Sequence, residues 1–446
     1  MSSRQINTNK LTFLFWSILS IVAYFYFSYA LKRYDHINLG ISIALLFTGY
    51  YFILKKPIKY SLMVGLGVVF RLIFLFSIPN LSQDFYRFIW DGQLIINGLN
   101  PYLFTPNELI NTHHTLFTQM EPLYKGMGAL SAQHFSNYPP IHQLPFVIAA
   151  LISKNSILGS VIILRIIIIL ADIGILIYGK KLLELLKLPT QNIFYYFLNP
   201  LVVIELTGNL HFEALMLFFL VVSLYFLYKQ KLIHSAIFMG FSILTKLLPV
   251  FFLPLLINRL KFKKTLLYST LIIGCIIVLC LPFFEFQFLK NYGKTVGLWF
   301  TNFEFNSSFY SLGKSAMSKN FGIQLIEHMS YVVPFLMAVF TLYFSLQKTT
   351  ENKKIIQSFF WILTIYFLMS TTVHPWYITT LVFLSCFTNY KFALAWSATI
   401  FFSYFAYHKS GVESNTLFEL IEYVSVGIVL LFEHIKNKTT TTSSLS

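Results

Sequence analysis

Long apolar runs, each near twenty residues, alternate with short polar connectors from residue 12 to residue 434. A helix rising ~1.5 Å per residue needs about 20 apolar residues to cross the ~30 Å hydrocarbon core of a bilayer. The runs therefore predict transmembrane helices at 12–31, 36–54, 61–79, 157–179, 191–208, 212–228, 233–257, 265–284, 326–346, 356–372, 376–407 and 416–434. Thr245-Lys246 breaks the run at 233–257, and a polar turn near Asn389 breaks the run at 376–407, so each reads as a helical pair. Residues 139–153 hold Pro139, Pro140 and Pro145 and are short for a span. The expectation is an all-α polytopic membrane protein with about 11 to 14 transmembrane helices. It forms one domain over 1–438, with a disordered low-complexity tail at 439–446.

Two stretches fall outside this pattern, 80–138 and 285–325. The first is rich in prolines and aromatic residues, which favours an ordered loop with short amphipathic helices over a slack linker.

Composition agrees with the class. Of 446 residues, 56% are hydrophobic and 11% charged, against roughly 25% charged in soluble domains. The net charge of +16 sits in connectors such as "LKKPIKY", "YGKK", "NRLKFKK" and "QKTTENKK". That pattern points to anionic lipid and excludes nucleic acid as the expected partner; the positive-inside rule puts these connectors in the cytoplasm. Both long loops then face out, toward the periplasm of a bacterial inner membrane, with "KRYDH" at 32–36 as a violation. The first apolar run is too long for a removed signal peptide and reads as an anchor. Cys275, Cys280 and Cys386 lie inside apolar runs, with neither disulfide nor zinc spacing.

Polar residues inside such a chain are the candidates for chemistry. "SQDFYRFIWDG" places Asp84, Arg87 and Asp91 on one stripe of about 60° if it is helical. Such a helix would lie on the membrane surface with its acids toward water or a cavity. It is either a solvated face with an ion pair or a general base beside a positioning arginine. Tyr102, Tyr138, His142 and Gln143 add hydrogen-bonding groups in and just after the loop, although tyrosines also serve as interfacial belts. "IELTGNLHFEALM" holds Glu205, Asn209, His211 and Glu213, and the spacing of four could put the three non-histidines on one face. Lys246, in "ILTKLLP", needs an anionic partner at membrane depth, either a ligand phosphate or a protein carboxylate. His374, Trp376 and Tyr377 surround Pro375 in "TTVHPWYITT". Arg71, Arg165 and Asp172 read as structural. No phosphate-binding glycine loop, histidine metal set or Ser-His-Asp arrangement is visible, and the expectation is no metal and no cofactor.

"DFYRFIWDGQLIINGLNPY", "YPPIHQLPF", "LNPLVVIELTGNLHFEALM", "LTKLLPVFFLPLL" and "HPWYITTL" occur in this order. Over roughly residues 60–390 the chain resembles GT-C superfamily glycosyltransferases. It is most similar to bacterial polyprenyl-phosphate-mannose-dependent mannosyltransferases, and more distantly to the enzyme adding the first mannose to glycolipid anchors. The resemblance implies a polyprenyl-phosphate sugar donor, a glycan or glycolipid acceptor, and transfer of a hexose such as mannose on the outer face with inversion. It also implies an acidic base in the first large loop. Asp84 is the matching position and Asp91 the second choice; where relatives carry paired acids this chain has Gln83-Asp84. Arg87, Tyr102, Tyr138, His142, Asn209, His211, Glu213, Lys246, His374, Trp376 and Tyr377 become the expected substrate contacts. A lipid or polysaccharide flippase is the alternative, which Lys246, Arg165 and the broken helices would also suit.

Overall fold

The computed structural model describes residues 3–112, 115–301, 304–307, 310, 325–347, 354–413 and 415–443. They are almost wholly helical. In chain order the helices are α1 (Ser3–Tyr29), α2 (His36–Leu54), α3 (Tyr60–Ile73), α4 (Asp84–Ile96), α5 (Pro106–Thr112), α6 (Met120–Ala132), α7 (Pro140–Ser153), α8 (Ile157–Leu185) and α9 (Phe194–Phe197). Then come α10 (Glu213–Tyr228), α11 (Leu232–Thr245), α12 (Leu256–Cys280), α13 (Phe286–Thr301), α14 (Leu325–Leu346), α15 (Lys354–Met369), α16 (Pro375–Ser385), α17 (Phe392–Thr399) and α18 (Thr416–Ser443). A small hairpin pairs β1 (Tyr407–His408) with β2 (Gly411–Val412).

Among the described residues, four helices are long and apolar enough to cross a membrane: Asn9–Tyr29, His36–Leu54, Ile157–Leu185 and Arg259–Phe283. Val202–Gly208 and Glu213–Tyr228 form a fifth span only as a pair bent by 109°, and six further apolar helices are shorter. The predicted spans are thus more broken than their hydropathy suggests. The run at 191–208 is cut at Asn199-Pro200, and its second half, Val202–Gly208, winds as a π-helix. The run at 233–257 breaks where expected: Lys246 is extended (φ −151°, ψ 144°), and a 3-10 helix over Leu248–Leu255, with Pro249 and Pro254, follows. The last helix continues to Ser443, into the tail expected to be disordered, and residues 444–446 lie outside the described residues. Most of the 285–325 loop after Thr301 also lies outside them.

Turns that the sequence assigns to one membrane side do meet at one end of the bundle. The Asn80 side chain donates to Phe27 O and Leu31 O, and Leu81 N donates to Asn209 Oδ1. His142 Nδ1 meets Thr245 O at 3.0 Å, and Asn100 donates to Phe283 O. Phe305 pairs by backbone with Thr371 and Val373, and His36 Nε2 meets Tyr407 O at 2.7 Å. At the other end Asn192 donates to Cys386 O, and the charges of Lys180, Arg259 and Lys391 rest on the rings of Tyr60, Tyr228 and Tyr195.

Buried arginines tie the helices together. Arg71 on α3 donates Nε to Asp172 on α8 at 2.8 Å, and the Tyr196 hydroxyl donates to the other carboxylate oxygen at 2.7 Å. Arg165 does not pair with Asp172, seven residues along its own helix. It donates instead to the carbonyls of Leu75, Ser77, Thr207 and Gly208, where α3 and the π-helix end. Helix ends leave carbonyls without intrahelical partners, and in lipid each needs a donor.

Candidate active site

The helix predicted from "SQDFYRFIWDG" forms, but it is not a surface helix. Residues Phe85, Arg87–Leu94 of α4 are buried, between α6 and α7. Gly92 permits the approach: a Cβ there would strike the Phe146 backbone of α7. Phe88 stacks on Phe146 at 4.7 Å, with His142 and Phe212 closing the cluster. Eight apolar or aromatic positions among thirteen supply more than one face to bury, so the loop closes over the helix.

Burial separates the two carboxylates of the stripe. Arg87 turns to Asp91, donating Nε at 2.7 Å, and its Nη1 holds Ser131 O and His134 O of the same loop. Both residues are buried, which makes this pair a clasp on the loop. Asp84 is half-buried, and among the described residues no hydrogen bond engages its carboxylate. Its charged neighbours are Lys246 and Arg33, not Arg87. Burial pushes its carboxyl above the ordinary range, and these two cations pull it back.

Around Asp84 gathers a group of half-exposed side chains, called the chamber below, with a buried layer behind them. Arg33, Tyr138, Lys246, His374, Trp376 and Tyr377 line it, each partly exposed. Behind them His142, Glu205, Asn209, His211 and Glu213 are 2% exposed or less. Lys246 forms an ion pair with Glu213 while keeping about a fifth of its side chain accessible (21%). Among the described residues, Glu213 Oε2, His142 Nε2 and His211 Nε2 are buried without a hydrogen-bond partner.

Glu205, Asn209 and Glu213 do not share a face. The π-helix and a left-handed Leu210 (φ 65°) turn the chain before α10 begins. Glu205 accepts from Tyr404 at 2.9 Å and from Asn209 at 3.3 Å, whereas Glu213 points to Lys246. Trp376 is not an open platform: His211 stacks on it at 3.7 Å and His374 at 4.3 Å. Phe305 then covers His374 at 5.0 Å. Tyr102 lies outside the chamber. It is fully buried, donates to Tyr138 O and accepts from Asn291, stitching the first loop to α13. Among the described residues no three His, Cys, Asp or Glu side chains converge as a metal centre.

The residue that sequence reasoning missed is Arg33, whose guanidinium carbon lies 3.2 Å from the Tyr407 ring centroid. The available signal was the charge of "KRYDH" on the wrong side.

A family model described as alpha-(1->6)-mannopyranosyltransferase, N-terminal domain, matches residues 37–260, half of the chain. The chain belongs to this family. The matched part includes Asp84, Glu213 and Lys246, while Arg33 and the His374–Tyr377 wall come from outside it. Among curated proteins, alpha-(1->6)-mannopyranosyltransferase B of Corynebacterium glutamicum is 27% identical over 150 residues, 33% of this chain and 23% of the relative. The match therefore spans under a quarter of that family member's length. No solved structure matches.

Proposed function

We propose that this protein transfers a mannosyl residue from a polyprenyl-phosphate donor to a glycan or glycolipid acceptor, on the extracytoplasmic face and with inversion. The observation that carries the reading is Asp84: a half-buried carboxylate without a hydrogen-bond partner, between two cations, in a chamber of polar and aromatic side chains.

The acceptor hydroxyl must lose a proton as it attacks the anomeric carbon, and Asp84 is the general base that takes it. A carboxyl raised by burial is a stronger base than an exposed one, and Lys246 and Arg33 favour its ionised form. Inversion needs one displacement, so a single base suffices and Asp91 is left to hold Arg87. The departing phosphate leaves already charged, so it needs a cation beside it and no proton. The aromatic wall of Tyr138, Trp376 and Tyr377 presents ring edges and a hydroxyl to the sugar.

The same reading assigns the lipid part of the donor to an apolar cavity. A cavity of about 590 Å³ is lined by Val250, Phe251, Pro254, Met337, Tyr366 and Ser370, among others. It begins four residues past Lys246 and ends at Thr371, three residues before His374. Its almost wholly apolar lining suits an isoprenoid chain entering sideways from the bilayer.

Purified protein given a polyprenyl-phosphate-linked, labelled mannose should release polyprenyl phosphate in step with label reaching acceptor. Release that does not require Asp84, or no release at all with a range of acceptors, would reject the reading. The face of transfer has its own test: a cysteine at the exposed Asn107 should react with an impermeant reagent in intact spheroplasts. Reaction only after lysis would put the chamber on the cytoplasmic side.

A further inference from the structure

Two cations border the chamber, and their partners differ. Lys246 is neutralised by Glu213. Arg33 has no carboxylate within ion-pair distance among the described residues, and its Nε is buried without a hydrogen-bond partner. What it does touch is Tyr407, whose ring centroid lies 3.2 Å from the guanidinium carbon and whose hydroxyl it also engages. Stacking of this kind engages the flat face of a guanidinium and leaves its N–H edge for a second, in-plane partner.

The charge around the site needs Arg33 as well. Lys246, Glu213 and Asp84 together carry one positive and two negative charges, a balance that repels a phosphate. Arg33, from the α1–α2 connector, acts on both Asp84 and Glu205. Its stacking partner is fixed in turn, because the Tyr407 carbonyl is held by His36 Nε2 and the β-hairpin closes behind it.

We propose that Arg33 is the phosphate anchor of the chamber, binding the phosphate of the lipid donor through its guanidinium edge, while Lys246 remains paired with Glu213 and orients it. This rests on the lipid-phosphate reading above. It assigns a binding role to a residue outside the part of the chain that the family model covers.

The test compares binding of farnesyl phosphate with binding of farnesol, which lacks the phosphate, to the full-length detergent-solubilised protein. The unaltered protein should prefer the phosphate by about tenfold or more, the scale of a charge-assisted contact. Inorganic phosphate alone should bind far more weakly, having no chain for the apolar cavity. Arg33→Gln should bring the two ligands within about threefold of each other, and Arg33→Lys should restore part of the preference, since charge returns without the fork. The double variant Lys246→Met with Glu213→Gln should keep most of it. Thermal melting of Arg33→Lys and Arg33→Gln separates lost binding from lost fold. Preference that survives Arg33→Gln, or that vanishes only in the Lys246→Met variants, overturns the assignment and leaves the donor reading standing. No preference in the unaltered protein removes the lipid-phosphate reading and this inference with it.

Discussion

Arg71 and Asp172 meet between α3 and α8, while at one end of the bundle Arg33, Asp84 and Lys246 gather without closing on one another. The first cluster is filled from inside the protein. Asp172 receives Arg71 and the Tyr196 hydroxyl, and Arg71 also holds the carbonyls of Gly67 and Phe197. Among the described residues the second is left open: Asp84 has no hydrogen-bond partner, Arg33 no carboxylate, and the histidines behind it have unfilled nitrogens. Both clusters have the same residue types in the same apolar setting, so charge in a membrane protein does not by itself mark a site. What separates them is whether the protein supplies the counter-groups.

The sharpest break of this comparison is a substitution in the closed cluster. Arg71→Met leaves Asp172 buried with one partner gone and should cost about 3–5 kcal/mol. The double change Arg71→Met with Asp172→Leu should recover much of it, measured as thermal melting in detergent. A single substitution that melts like the unaltered protein would mean the cluster is not the lock described. Next in size, Asp84→Asn should lower sugar transfer by about a hundredfold or more, the scale of general-base contributions, without shifting the melting temperature. Asp91→Asn should do the reverse, weakening the clasp with Arg87 while folded protein keeps turnover. If Asp91→Asn removes turnover from folded protein and Asp84→Asn does not, the base is Asp91, two turns along the same helix.

pH sharpens the comparison further. Asp84 must be ionised to act, and burial raises its carboxyl, so kcat/KM should fall as pH drops through a midpoint above the ordinary carboxylate value. The fall should be about tenfold per pH unit below that midpoint. Lys246→Met removes the larger of the two lowering charges and should move the midpoint up. An acidic limb that stays in place in Asp84→Asn belongs to another group. The smallest effect is expected at Trp376. Its two stacked imidazoles are each worth about 0.5–1.5 kcal/mol, so Trp376→Ala should raise an apparent KM several-fold, and Trp376→Phe less. Unchanged constants for both substrates would remove the wall from the site.

Membrane class, helix content, the break before Lys246 and the family were legible in the chain, because each rests on local composition or on ordered motifs. The one-sided grouping of turns was legible too, through the charges of the opposite connectors. The division of labour within "DFYRFIWD" was not. Asp84 and Asp91 are both carboxylates on one helical stripe, two turns apart with Arg87 between them; only the loop carbonyls of Ser131 and His134 draw Arg87 toward Asp91 and away from Asp84. Nor could periodicity show that Glu205 and Glu213 part company, because a π-helix and one left-handed residue reset the register between them.

Sequence by itself therefore determined that this chain is a bundle of apolar helices carrying a few ionisable residues at marked places, since hydropathy and charge act over short stretches. Which of those residues neutralise each other was decided by tertiary structure alone. Arg71 finds Asp172 across 101 positions, Glu213 finds Lys246 across 33, and Arg33 is brought beside Asp84 and Tyr407 from separate parts of the chain. Coulomb energy depends on distance in space and on the local dielectric, and neither can be read along a linear chain.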